Sequence, residues 1–131
     1  MNLTEQLTEK DLQVLFPTTN FDEYKWLALE KLQSIFDKGA IHICLRLEGH
    51  GDIIDAPDSH AHDKDLNVID ISRSARFWDW LSKLAYHYLP DFVVDRGGLL
   101  TIVLHDEDGV LSLGLSADYI TYNQQFSYRN D

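Results

Sequence analysis

Cysteine is nearly missing from this chain: Cys44 stands alone, so no internal disulfide can staple the fold. It sits between His42 and Arg46 in a segment of alternating apolar and polar residues, and is read as a structural or half-exposed thiol. A nucleophilic thiol would need a base held beside it. Basic residues are also scarce, with 11 Lys and Arg against 22 Asp and Glu, a net charge of −11 and a pI near 4.7. Binding nucleic acid through its phosphates requires a concentrated basic surface, so direct nucleic-acid binding is not expected. No stretch approaches the roughly 18 apolar residues of a membrane span. The opening Met1-Asn2-Leu3-Thr4-Glu5-Gln6 has neither the basic start nor the apolar run of a secretory signal. These features predict a cytoplasmic protein with no membrane attachment. No nucleophile elbow, phosphate-binding loop or dinucleotide fingerprint occurs, so no enzymatic activity and no cofactor is expected.

What remains is the composition of one globular domain. Over 131 residues, 44% are hydrophobic and 11% aromatic, enough for a single packed core. No repeat, low-complexity stretch or linker divides residues 1–131. Leu7, Leu12, Leu15 and Phe16 form a weak helical pattern over 5–16, closed by Pro17. Asn20, with Glu23 three residues on, reads as the cap of a second helix. That helix carries Phe21, Tyr24, Leu27, Leu32, Ile35 and Phe36 at three- and four-residue steps and stops at Lys38-Gly39. Ile41, Ile43, Leu45 and Leu47 then alternate with polar residues, the period of a strand with one buried face. Residues 49 to 65 read as a loop rich in Asp, Gly and His, and 66–71 as a short strand. Ser72 or Ser74 opens a long helix with Phe77, Trp78, Trp80, Leu81, Leu84 and Tyr88, closed by Pro90. Leu99 to His105, Val110 to Leu115 and Asp118 to Tyr128 follow as three strands, the first two joined by a turn at Asp106-Glu107-Asp108-Gly109. The predicted fold is α+β, an antiparallel sheet of about four to five strands with a C-terminal meander and helices mainly on one face.

Several of these pieces recur together elsewhere: Gly49-His50-Gly51-Asp52-Ile53-Ile54 after a strand, Leu84-Ala85-Tyr86, the turn Asp95-Arg96-Gly97-Gly98, and the Tyr-rich run from Tyr119 to Tyr128. In this the chain resembles, from about Ile41 to Tyr128, a family of small bacterial proteins known only as a domain of unknown function. The resemblance implies the α+β fold and brings no activity with it. The family typically has a polar Gly-Trp-Glu-Asn-Asn-Asp-Gly-like segment before the hairpin. Here Asp91-Phe92-Val93-Val94-Asp95-Arg96-Gly97 stands in its place, apolar at its centre, so a site built there in the family would be lost in this chain.

The chemistry-bearing residues concentrate in the 49–65 stretch. His50, His60 and His62, among Asp52, Asp55, Asp58, Asp63 and Asp65, are of the types zinc, manganese or iron would use. His60-Ala61-His62 would put both rings on one side of an extended segment. The stretch lacks the spacing of a metalloprotease helix or a calcium loop, and a solvated acidic loop with no metal accounts for it as well. Gly49-His50-Gly51-Asp52 leads into acidic sequence and lacks the cation of a phosphate loop. Asp106, Glu107 and Asp108 read as solvated charges at a hairpin tip rather than a glycosidase pair. His87 and His105 read as structural. Trp78 and Trp80 cannot share one helix face: if Phe77, Leu81, Leu84 and Tyr88 form the core stripe, Trp78 faces elsewhere and is a candidate aromatic anchor, the alternative being that both tryptophans pack in the core.

The function class this composition favours is an acidic protein-binding module that occludes a partner, such as an immunity protein, an antitoxin or a phage or plasmid inhibitor. Its expected target is a basic, nucleic-acid-handling protein. The contact residues would be Asp52, Asp55, Asp58, Asp63 and Asp65 in the loop, Asp106, Glu107 and Asp108 at the tip, and Trp78. The alternatives are a scaffold domain dimerising through the last strand and a metal-dependent enzyme using His50, His60 and His62.

Overall fold

Thr8 divides the first helical stretch. In the computed structural model, which describes residues 1–50, 53–56, 59–71, 74–90, 92, 97–120 and 123–130, α1 (Leu3–Gln6) and α2 (Glu9–Leu15) replace the single helix expected over 5–16. The Asp11 backbone N–H donates to Thr8 Oγ1 at 3.1 Å, and the Thr8 N–H donates to Asp11 Oδ2 at 2.9 Å. This reciprocal box satisfies amides a helix start would leave orphaned. A short 3₁₀ turn, Thr19–Phe21, leads into α3 (Asp22–Asp37). Asn20 therefore lies inside the turn and does not cap α3. Asp22 and Glu23 occupy its first turn instead, where the helix dipole favours negative charge. α4 (Ala75–Tyr88) follows Ser74, which makes no side-chain cap bond.

The sheet is antiparallel and has seven strands rather than four or five: β1 (His42–His50), β2 (Ile53–Asp55), β3 (His60–His62), β4 (Val68–Ile69), β5 (Gly98–Glu107), β6 (Val110–Tyr119) and β7 (Asn123–Arg129). Their order is β4-β3-β1-β5-β6-β7, with β2 also on β1. The added strands come from the 49–65 stretch, whose polar composition read as a loop. β2 and β3 share one edge of β1, at Glu48–His50 and His42–Cys44 respectively. Between them the Ser59 hydroxyl accepts from Arg46 N at 2.9 Å and donates to Arg46 O at 3.0 Å, so a side chain satisfies the strand backbone where no strand reaches it. The β5–β6 turn is the pair Asp108-Gly109, with φ of 53° and 85°. Positive φ at both central residues is the two-residue hairpin geometry whose twist suits the strands.

Alternation along the strands sends Ile43, Leu45, Leu47, Leu100, Ile102, Leu104, Leu113 and Leu115 into one core with Leu32, Ile35, Phe77, Trp80 and Leu84 of the helices. α3 packs on α4, and α4 meets β1 and β5. Polar anchors fix the N-terminal helices to this core. Trp80 Nε1 donates to Leu15 O at 3.0 Å, and the Tyr88 hydroxyl donates to Val14 O at 2.6 Å. Among the described residues no helix is long and apolar enough to cross a membrane.

Candidate functional site

Strand register gathers four of the six histidines on one patch of the sheet. His42 stands opposite His62 of β3 on one side and His105 of β5 on the other, and Cys44 stands opposite His60. Cross-strand partners and residues two apart share a face. The His42 ring lies 4.9 Å from that of His62, 5.3 Å from His105 and 5.8 Å from His60, centroid to centroid. The rings of His42, His60 and His62 stack nearly parallel, while His105 meets His42 edge-on with Nδ1 to Nδ1 at 3.2 Å. His62 Nδ1 lies 2.9 Å from Asp63 O. A carbonyl only accepts, so this nitrogen carries the proton and Nε2 keeps its lone pair. His42, His62 and His105 are half-buried and His60 is exposed. Burial, followed by the neighbouring imidazoles of His62, His105 and His60, lowers the pKa of His42.

His60 and His62 are thus brought together as expected of an extended segment, but with His42 and His105 as companions. His50 lies at the far end of β1, six residues beyond Cys44, or about 20 Å along a strand; its side chain is outside the described residues. The signal for His42 and His105 was present in their strand positions but required the pairing register to interpret.

The acidic residues divide between the two ends of the sheet. Asp63 and Asp65 lie in the turn after β3, and Asp106 and Glu107 close β5 beside Asp108. Ile41 joins the two groups, donating to His62 O and accepting from Asp106 N, so both reach the edge next to the histidines. Asp63 accepts from the backbone and side chain of Asn67 and from Asp65 N, and the Asn67 bonds foremost hold its carboxyl below the usual range. Asp106 Oδ1 accepts from Gly109 N and so helps form the turn. Asp55 is exposed on β2 opposite Glu48, toward the other end. Asp52 and Asp58 lie outside the described residues, as do Asp91 and residues 93–96 of the segment compared with the bacterial family.

Trp78, expected to face off the α4 core stripe, is half-buried. Its ring packs edge-on against Phe77 at 5.7 Å, and its Nε1 is buried without a hydrogen-bond partner among the described residues. The exposed indole is Trp26, with 70% of its surface accessible. It lies off the α3 stripe of Ala28, Leu29, Leu32, Ile35 and Phe36, a displacement the helical period makes readable. Trp26 borders a groove between α1 and α3 with Thr4, Leu29, Glu30 and Asp37. Gln33 also lines the groove and ties α3 to the N-terminus, accepting from Leu3 N and donating to Met1 O, while it also donates to Asp37 Oδ1.

Comparison with family models, with curated proteins and with solved structures finds no match.

Proposed function

We propose that this chain is an acidic protein-binding module that occludes a basic partner, in the manner of an immunity protein, antitoxin or inhibitor, and that Trp26 is its anchor. One observation carries the reading: a tryptophan with 70% of its surface in water borders a groove that also presents Glu30 and Asp37. Tryptophan is enriched among the residues that dominate interface energetics, and covering an indole removes a large apolar area from water. The net charge of −11 would steer a basic partner toward the module and speed encounter. Asp63, Asp65, Asp106, Glu107 and Asp108 contribute to that field from the sheet edge. The helices, on this reading, lie mainly on one face of the sheet, leaving α3's outer side free for a partner. The reading is of a non-enzymatic, cytoplasmic protein, akin in fold to the small bacterial family whose motifs it resembles.

Capture by the immobilised, tag-free chain from host lysate tests it. A discrete basic protein retained at low salt, released at high salt and lost with Trp26→Ala is the expected result. Equal retention by the wild type and Trp26→Ala contradicts the reading. A second reading, a homodimer, rests on β7: it ends the strand order, and an edge strand can pair with a second copy. A concentration-dependent doubling of mass that ignores salt would favour it.

A further inference from the structure

We propose that the histidine patch is a proton-operated latch: His42, His60, His62 and His105 keep the β3–β4 edge on β1 while neutral, and release it when they take up protons. This does not rest on the partner-binding reading. His42 is the hub, with the rings of His62, His105 and His60 at 4.9, 5.3 and 5.8 Å between centroids. Imidazolium charges at such spacings repel. The in-plane nitrogens of the parallel stack do not converge, and among the described residues no three His, Cys, Asp or Glu side chains are placed to hold a metal ion. The ligand this arrangement responds to is the proton. The two Nδ1 atoms of His42 and His105 are 3.2 Å apart, so one ring donates and the other accepts. Charging both rings sets two N–H groups against each other and breaks that contact.

Strand length decides which pairing yields. β1 pairs with β5 over eight residues but with β3 over three, and β3 pairs with β4 over two. β4 and β3 also end the strand order, so their release leaves the β1-β5-β6-β7 ladder whole, takes two of the four rings away and uncovers His42. The other titratable and charged groups around the patch are Cys44 and Arg46 on β1, Asp63, Lys64 and Asp65 after β3, Asp70 after β4, and Asp106 after His105. β4 itself carries only Val68 and Ile69, and β6 sets Ser112 opposite His105. Asp63 attracts charge on His62, but its carboxylate is already engaged by Asn67 and Asp65 N, and Asp106 Oδ1 is held in the hairpin turn. Acidic groups farther off are screened beyond about 8 Å at physiological salt. Burial foremost, then the neighbouring imidazoles, lower the His42 pKa in the closed sheet. Release exposes the ring and removes two of those neighbours, returning it toward the unfolded value of about 6.5. The open form therefore binds the proton more readily. Closure is most stable above about 6.5 and weakens as pH falls through that value toward the lower one of the closed sheet.

The test is amide hydrogen exchange of the full, tag-free chain at about pH 7.5 and about pH 5.5, with a chelator present and rates corrected for the intrinsic effect of pH. The probes are the Ile41 N–H, which donates to His62 O, and the paired amides of β3 and β4. Their protection should fall by about tenfold for each proton taken up on opening, while β5 and β6 keep theirs. His42→Gln, which leaves the hub uncharged at both pH values, should cut the change to less than about threefold. His87, packed on Phe21 and Tyr88, is the control, and His87→Gln should respond as the wild type does. Protection lost together from β3, β5 and β6, or β3 amides equally protected or equally open at both pH values, would overturn the latch. So would a His42→Gln variant with the full wild-type response. Comparison of β3 with β5 in the wild type decides the matter even if a variant folds poorly.

Discussion

The hydroxyl of Tyr128 on the last strand donates to Asp11 Oδ1 on the second helix at 2.6 Å, across 117 residues of sequence. Asp11 is the one buried charged residue among those described, and its other oxygen closes the capping box with Thr8. One carboxylate therefore starts α2 and ties it to β7. Burial first, and then this bond, raise the Tyr128 pKa. Tyr128→Phe removes a hydrogen bond to a charged acceptor and should cost about 1.5–3 kcal/mol in chemical denaturation. Thr8→Ala should cost about 1 kcal/mol through the cap alone. Equal stability of Tyr128→Phe and wild type would show that this tie contributes nothing.

Burial pushes the Tyr88 phenol up to about 12, and its hydroxyl donates to Val14 O. The folded value lies above the unfolded value of about 10. Its contribution to stability is therefore fully present below pH 10 and is lost as pH rises through 12, because the unfolded chain releases the proton first. In a tyrosinate absorbance titration, Tyr88→Phe should delete one of the latest-titrating components. Loss of a component near pH 10 would contradict this placement.

Gly97 has a φ of +65°, and a Cβ there would lie 2.7 Å from the backbone oxygen of Gly49 and 2.6 Å from Ile120 Cδ1. Ile120 can rotate away, but the strand carbonyl cannot. Gly97→Ala should lose about 2–4 kcal/mol from left-handed strain and crowding together. Gly109→Ala, at φ +85° with nothing within 4 Å, should lose only about 1–2 kcal/mol from strain. Denaturant midpoints of the two variants compare them directly, and the reverse order would refute the close approach.

Much of the fold was legible wherever periodicity was long. The stripe of α3 and α4 and the alternation through Ile43, Leu45 and Leu47 predict elements that the structure contains, and Asp108-Gly109 marks the tightest turn from its chemistry alone. Of the short strands only Val68–Ile69, inside the strand expected over 66–71, was legible. Ile53–Asp55 and His60–His62 are too brief for a period to emerge, and they are strands because β1 offers an edge to both and Ser59 fills the gap between them. The first helix hid a break because Leu7, Leu12 and Leu15 keep a helical spacing across the Thr8–Asp11 box. The histidine patch was half legible. His60 and His62 stand together in sequence, but His42 and His105 reach them only through pairings across β1, β3 and β5. Trp26 could have been found from its place off the α3 stripe, whereas the partial burial of Trp78 depends on tertiary packing.

The most direct measurement of the binding account is site-specific photo-crosslinking in host cells, with a photoreactive aromatic residue in place of Trp26 and, separately, of Gln124 on the β7 edge. Trp26 is exposed, so its replacement should change stability by no more than about 0.5 kcal/mol. The expected result is one discrete adduct from position 26, with a mass set by a different protein. An adduct of twice the chain's mass from position 124, with none from position 26, would contradict the account and make the chain a strand-paired homodimer.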